Sequence, residues 1–324
     1  MKTRHTLQLA LALAVIGAPV AAQALTPAEV FAKVAPSVWV VKALQPDPNH
    51  GVMGSAVVLG PRTLVTACHV VRSSVSVSVT HSGSQKSYPI AQITPDPSVA
   101  RDLCILTTTE DISGPAVDVA PSDSVKVGNK VFAIGAPLGL ELTLSDGLVS
   151  SLRASPGEAL PTIQSSAPVA PGSSGGGLFD TQGRLIGLTL STAGAGTATL
   201  NFSDPAAWAL EVPARIEAAR QAWRKQITAL GVTMGPDGDA APSGYAVIGD
   251  IGKVPTAGMP SKGVAEAYQQ FLLLSKPRAF LVTSDHQWGA VSDAAALAEQ
   301  FKDCQTRHAT CRLYAVDDAV VWKP

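Results

Sequence analysis

Three short segments carry residue types that could together perform acyl transfer. In Leu64-Val65-Thr66-Ala67-Cys68-His69-Val70-Val71, an apolar run delivers a histidine at its end. In Arg101-Asp102-Leu103-Cys104-Ile105-Leu106, an aspartate opens an apolar run. Ala170-Pro171-Gly172-Ser173-Ser174-Gly175-Gly176-Gly177-Leu178 sets hydroxyls in a glycine-rich loop. A serine hydroxyl is a poor nucleophile at neutral pH, so a neighbouring imidazole must take its proton and return it to the leaving group. A buried carboxylate fixes the imidazole tautomer and stabilises the imidazolium that forms. The oxyanion of the tetrahedral intermediate needs fixed N–H donors. A Gly-x-Ser-Gly loop can offer those of Gly172 and Ser174, because glycine tolerates the backbone conformation that turns its N–H inward. Taken singly, a histidine at a strand end is usually structural, an aspartate at a strand start usually forms a turn, and a Gly/Ser cluster is usually a flexible loop. Their joint occurrence in one segment makes His69, Asp102 and Ser174 the candidate triad.

The elements that must position these residues are short. Residues 38–200 alternate Val/Ile/Leu/Thr-rich runs with Gly, Pro, Ser and Asp, as in Ser37-Val38-Trp39-Val40-Val41, Gly54-Ser55-Ala56-Val57-Val58-Leu59 and Lys130-Val131-Phe132-Ala133-Ile134. Residues 75–79 alternate at period two. Many short strands with frequent turn signals predict a mainly β fold, an antiparallel barrel or sandwich. Residues 25–35 predict a short helix, with Thr26 as N-cap and Pro27 in its first position. After Phe202 the composition shifts. Residues 205–230 are rich in Ala, Glu, Arg and Gln and predict helix, interrupted near Pro213. A Gly/Pro/Asp-rich linker at 232–244 separates residues 25–231 from a small α+β module at 245–324. In that module a helix is expected over 264–274, a hairpin over 278–291, a helix over 294–301 and a last strand over 312–322.

Composition narrows the function classes. The chain has 324 residues and a formal net charge of -1. Nucleic-acid binding needs a concentrated basic surface, which this balance does not supply. The start is basic, residues 7–20 are mostly apolar, and Ala22-Gln23-Ala24 supplies small residues where a signal peptidase reads. Residues 1–24 therefore predict a secretory signal peptide, and a periplasmic or secreted protein with no membrane span after its removal. A membrane anchor is the alternative, but the apolar stretch is short for one. Cys68, Cys104, Cys304 and Cys311 are an even count for an oxidising compartment and allow three pairings. Cys304 and Cys311 are close enough to pair around one helix-to-strand turn. A metal reading would use Cys304, His308 and Cys311, and it lacks a fourth ligand.

The order His, Asp, Ser along the chain is that of the chymotrypsin class. Residues 26–202 resemble the trypsin-like domain of HtrA-type (Deg-type) bacterial proteases. The resemblance rests on Gly54-Ser55-Ala56-Val57-Val58, the His69 and Asp102 segments, Ala133-Ile134-Gly135-Ala136-Pro137-Leu138-Gly139, Gly147-Leu148-Val149-Ser150, and Ile163-Gln164-Ser165-Ser166-Ala167 with the Ser174 loop. It implies a chymotrypsin-like double β-barrel, each barrel six-stranded, with the site in the cleft between them.

The chain departs from that pattern in four places. Ser173 stands where the family usually has Asn, leaving Ser173 or Ser174 as nucleophile; the Gly-x-Ser-Gly-Gly frame selects Ser174. Cys68 and Cys104 adjoin the candidate His and Asp, and the proximity implied by a triad would let them form a disulfide; two buried thiols are the alternative. The pocket position implied about six residues before the nucleophile is Pro168, and Leu190, Asn201 and Phe202 lie in runs resembling the pocket walls. No carboxylate stands at Pro168, so cleavage after small or apolar residues is expected. The C-terminal module lacks the carboxylate-binding loop of a PDZ domain. The resemblance implies a serine endopeptidase acting on polypeptide substrates without metal or other cofactor. The alternative is a latent or inactive protease-like scaffold that binds a partner protein. The sequence leaves the oligomeric state open.

Overall fold

In a computed structural model the described residues are 24–47, 51–98, 100–139, 141–154, 156–192, 200–255, 261–274, 276–285, 287–307 and 309–323. Apart from Ala24, the expected signal peptide lies outside them, and so does His308.

Helix α1 (Pro27–Val34) starts where the sequence predicts. Thr26 is its N-cap: Glu29 N donates to Thr26 Oγ1 (3.3 Å) and Thr26 N donates to Glu29 Oε2 (2.8 Å), a reciprocal capping box. Pro27 sits in the first turn, where a missing N–H costs nothing.

Strands β1 (Val38–Leu44), β2 (Gly51–Gly60), β3 (Thr63–Ala67), β4 (Ser76–Thr80), β5 (Ser87–Pro95) and β6 (Leu103–Thr108) close a barrel in the order β1-β2-β3-β6-β5-β4. A four-residue helix, α2 (Cys68–Val71), follows β3 directly. The first four residues of β1 are buried. Trp39 fills the interior, its Nε1 donating to Pro36 O (3.0 Å) and its ring centroid 5.4 Å from that of Tyr88.

Strands β7 (Lys130–Gly135), β8 (Thr143–Arg153), β9 (Thr162–Ser165), β10 (Gly177–Phe179), β11 (Leu185–Thr192) and β12 (Asn201–Pro205) close a second barrel in the order β10-β11-β12-β9-β8-β7. Val131, Val149, Ile163, Leu178 and Ile186 meet in its core. The two closed antiparallel barrels make the chymotrypsin-like fold, and closure removes the open edges that a flat sheet of this length would expose.

The chain groups into two compact units. One holds the described residues up to Ile93 with Leu106–Ala207; the other holds Thr94–Ile105 with Trp208–Pro324. In the second unit, β13 (Ala279–Thr283), β14 (Trp288–Val291), β15 (Cys311–Val316) and β16 (Ala319–Val320) form an antiparallel sheet in the order β14-β13-β15-β16. Its helices are α3 (Ala207–Ala229), α4 (Ser261–Leu273) and α5 (Ala294–Thr306). Every residue of β13 is buried, because both faces are covered. Ala279 and Leu281 join Trp223 and Ile227 of α3 and Leu297 of α5. Phe280 and Val282 join Val264, Tyr268 and Phe271 of α4. The expected hairpin is the β13–β14 pair, running from Ala279↔Val291 to Val282↔Trp288.

The expected interruption near Pro213 is absent: α3 runs unbroken with Pro213 inside it. Proline removes one helical hydrogen bond. Burial of Trp208, Val212, Trp223 and Ile227 along the helix offsets that loss, since tertiary packing supplies most helix stability. Residues 232–244, read as a linker, carry a Met234–Ala240 bridge and place Val232 and Ala240 in the core with Trp223.

Candidate active site

Each candidate catalytic residue sits at an element boundary. His69 lies on α2, exposed, one residue after buried Cys68. Asp102 is half-buried and immediately precedes β6, which neighbours β3 in the first barrel. Ser174 is buried in the loop before β10.

The loop carrying Ser174 is held mainly by its own backbone and by neighbouring strands. Ser173 N donates to Ala170 O (2.9 Å), Gly175 N to Thr189 O (2.7 Å) and Gly176 N to Ser173 O (2.9 Å). Thr189 Oγ1 donates to Ser173 O (2.5 Å). Gly175 has φ +83, and a Cβ there would lie 2.2 Å from both Ser55 O and Thr66 Oγ1, so only glycine fits. The two serines differ in surroundings. Ser173 packs its Cα and Cβ against Gly135, and its hydroxyl lies 3.5 Å from Ala170 N within the same turn. The Ser174 hydroxyl instead donates to Leu190 O on β11 (2.8 Å).

The peptide ahead of Gly172 has a fixed orientation. Leu138 N donates to Pro171 O (2.8 Å). In a trans peptide the C=O and N–H point to opposite sides, so the Gly172 N–H faces away from Leu138. Gly172 has φ +95, and a Cβ would meet Leu138 N at 2.6 Å. Its carbonyl accepts Ser55 Oγ (2.9 Å), and the same Ser55 oxygen accepts Ala136 N (2.9 Å). Ser55 is fully buried on β2, and its N–H donates to Ser174 O (2.8 Å). One serine of the first barrel thus brackets the Ser174 loop of the second. Among the described residues, the N–H groups of Gly172 and Ser174 meet no acceptor, whereas those of Ser173, Gly175 and Gly176 are all engaged. Two backbone donors with that freedom, on either side of one serine, can take an oxyanion.

The sequence names Ser55 within a motif but not this role. Its partner Gly172 is 117 residues away, and no local pattern carries that pairing.

Of the expected pocket residues, Leu190 is on β11, and Asn201 and Phe202 are on the adjacent β12. Pro168 follows β9, and its carbonyl accepts Ser145 Oγ from β8 (2.5 Å). An apolar cavity lined by Val125, Leu152, Ile163 and Ile186 involves none of the four. No cysteine is free, and Cys304 and Cys311 form a disulfide joining the end of α5 to the start of β15. No cluster of His, Cys, Asp and Glu suited to a metal ion occurs among the described residues. No described helix is long and apolar enough to cross a membrane.

Residues 54–188 match the family of the trypsin-like peptidase domain. The curated relatives are described as proteases, and similar solved structures include an HtrA-type protease. The magnetosome formation protease MamE of Magnetospirillum gryphiswaldense is 32% identical over 208 residues, 62% of this chain and 26% of that protein. A probable periplasmic serine endoprotease, DegP-like, from Pseudomonas fulva is 36% identical over 109 residues, 32% of this chain and 23% of that protein. Among solved structures, the HtrA-type protease AlgW with tripeptide matches at TM-score 0.52 and 27% identity, over 59% of this chain and 63% of that one. The match thus spans 26% and 23% of the length of these two curated relatives.

Proposed function

We propose that the chain is an exported serine endopeptidase acting through an acyl-enzyme. Ser174 Oγ attacks the scissile carbonyl carbon while His69 takes the hydroxyl proton. The Gly172 and Ser174 N–H groups hold the oxyanion. His69 returns the proton to the leaving amine, and water then releases the acyl group by the same steps. Asp102 orients the imidazole. Peptide is cut after small or apolar residues, received by Pro168, Leu190, Asn201 and Phe202. With Cys304–Cys311 bonded and no cysteine free, a Cys68–Cys104 disulfide next to His69 and Asp102 is supported.

The observation that carries the reading is the Pro171–Gly172 peptide, whose carbonyl is tied to Leu138 N so that its N–H faces the other way. The DegP-like relatives, probable periplasmic serine endoproteases, support export and peptide substrates. The test is labelling of the folded protein by a fluorophosphonate, with peptide hydrolysis measured alongside. Labelling that is lost in Ser174→Ala and kept in Ser173→Ala supports the reading. No labelling and no hydrolysis in the wild type overturns it.

One observation favours a second reading, a latent protease-like scaffold: the Ser174 hydroxyl donates to Leu190 O. A latent enzyme gains fluorophosphonate reactivity when a peptide ligand is added, and an inactive scaffold never reacts.

A further inference from the structure

We propose that Arg101 is a positioning residue, through which the first turns of α3 fix the loop carrying Asp102. The inference rests on the role given to Asp102 above. Just ahead of β6, Asp96 N donates to Leu103 O (2.9 Å) and Arg101 N to Ser98 O (3.1 Å). Asp96 Oδ1 accepts Ser98 N (2.8 Å). The Asp96 side chain is 0% exposed and the Arg101 side chain 4% exposed, their charges 3.6 Å apart.

Both side chains are gripped by one stripe of α3. Arg215 Nε and Nη2 reach the two Asp96 oxygens at 2.9 and 3.0 Å. Arg101 Nη1 donates to Glu211 Oε2 (2.7 Å), and its guanidinium lies 4.3 Å from the centre of the Trp208 ring. Trp208, Glu211 and Arg215 are spaced three and four residues apart, so they share one helix face. Asp102 is thereby flanked by a locked Arg101 and a fully buried Leu103. Little freedom remains to it beyond its own side-chain torsions.

A cluster of two acids and two arginines is not needed for stability at a buried place, where apolar packing of equal volume serves as well or better. What an arginine fork adds is direction. Its planar donors fix both position and tilt, which a methionine or lysine cannot do. The carboxylate behind a catalytic imidazole needs that accuracy, because a displacement of about 1 Å can cost about 100-fold in rate.

The test compares wild type with Glu211→Gln, Arg101→Lys and Arg101→Met in the full chain, with Glu217→Gln on the exposed face of α3 as control. Glu211→Gln keeps the protein folded even if Arg101→Met does not, since the Glu211 side chain is 43% exposed. Turnover is counted per fluorophosphonate-titrated site, and His69 is followed by NMR of its ring nitrogens. The expected result is a kcat loss of about 10-fold in Glu211→Gln and about 100-fold in Arg101→Met, with KM little changed. The chemical shifts of the His69 ring nitrogens change along with kcat, as the imidazole loses the partner that fixes its tautomer. Arg101→Lys recovers part of the loss, and Glu217→Gln changes nothing. Unchanged His69 ring-nitrogen shifts and unchanged kcat per titrated site in both Glu211→Gln and Arg101→Lys overturn the inference, even if stability falls. A wild type lacking Ser174-dependent labelling overturns the parent reading instead, and the ring-nitrogen shifts of His69 still report whether the Arg101 and Glu211 variants act through Asp102.

Discussion

The hydroxyl of Ser174 donates to the carbonyl oxygen of Leu190 at 2.8 Å. Leu190 is available because the β11–β12 register breaks between Thr189 and Thr192, which takes its backbone out of the ladder. The bond points the candidate nucleophile at strand β11. An extended peptide whose own N–H donates to Leu190 O would displace the hydroxyl and free it for proton transfer.

Turnover is therefore expected to depend on substrate length beyond what binding explains. In a series of peptides extended ahead of the scissile bond, kcat should rise as the backbone reaches Leu190, with small activated esters turned over disproportionately slowly. Steady-state kinetics on such a series checks this, and a flat kcat with falling KM would show that Leu190 O does not restrain Ser174.

Ser55→Ala removes a buried oxygen that serves Gly172 O and Ala136 N at once. Both backbone groups are left without that partner, and the Gly172 peptide loses its bracket. A fall in kcat of about tenfold or more is expected with KM little changed, as for loss of an oxyanion donor. The measurement is kcat and KM with active sites titrated; equal kcat per site would contradict it.

Gly175→Ala is expected to destabilise the barrels by about 4 kcal/mol, because its Cβ meets backbone at Ser55 and the φ of +83 strains any side chain. Urea unfolding of the full chain reads this directly. A loss under about 1 kcal/mol would mean the loop shifts freely.

How much of this was legible in the sequence follows the range of the interaction. Thr26 and Glu29 are three residues apart and announced α1 correctly. His69, Asp102 and Ser174 lie at or near the strand boundaries that local apolar patterning predicts; the alternation of short apolar runs pointed to a barrel or a sandwich, and the pair of six-stranded barrels came from the resemblance. What local pattern could not reveal are the long-range partners. Ser55 meets Gly172 across 117 residues, and Arg101 meets Glu211 across 110. Pro213 misled because a local helix-breaking rule was outweighed by buried tryptophans on either side of it. The expected pocket residues came from resemblance alone, and the cavity lined by Val125 and Leu152 lies with other residues.

Arg278 holds the C-terminal sheet to α4. Its Nη1 donates to the carbonyls of Phe271, Leu272 and Leu274 at the helix end, its Nη2 pairs with Asp318, and its guanidinium lies 4.9 Å from the centre of the Phe271 ring. Arg278→Met is expected to cost about 3 kcal/mol, since buried carbonyls lose a charged donor. Arg278→Lys should recover only part, because an ammonium cannot span three carbonyls and a carboxylate. Denaturant unfolding of the full chain checks both.

Asp317 gives the same unit a pH signature. Burial raises its carboxyl above the ordinary range, although Arg278 N donates to it. The unfolded chain then releases the Asp317 proton at a lower pH than the folded one. Over that window the folded state binds more protons, so stability falls as pH rises and stays lower above it. Asp318 acts in the opposite sense: Lys276 holds its carboxyl low, so its contribution is present above the unfolded value and lost as pH falls through the folded one. Asp317→Asn should therefore raise the melting temperature at neutral pH and give no gain in acid. Asparagine also tolerates the left-handed backbone at this position, φ +49. A stability gain that is the same at every pH would contradict the assignment.

Helix α1 is fastened to the hairpin between β10 and β11: Leu25 N donates to Thr181 O at 2.8 Å and Lys33 Nζ to Gln182 O at 2.7 Å, the latter across 149 residues. A segment synthesised early is thus completed by strands made much later. The first barrel can close on its own strands, residues 38–108, but α1 has no place to dock until the β10–β11 hairpin has been made. Contacts of such long sequence separation slow folding. The domain therefore passes its nascent life with an unsheltered N-terminal helix, the stage at which a holding chaperone has the most to bind.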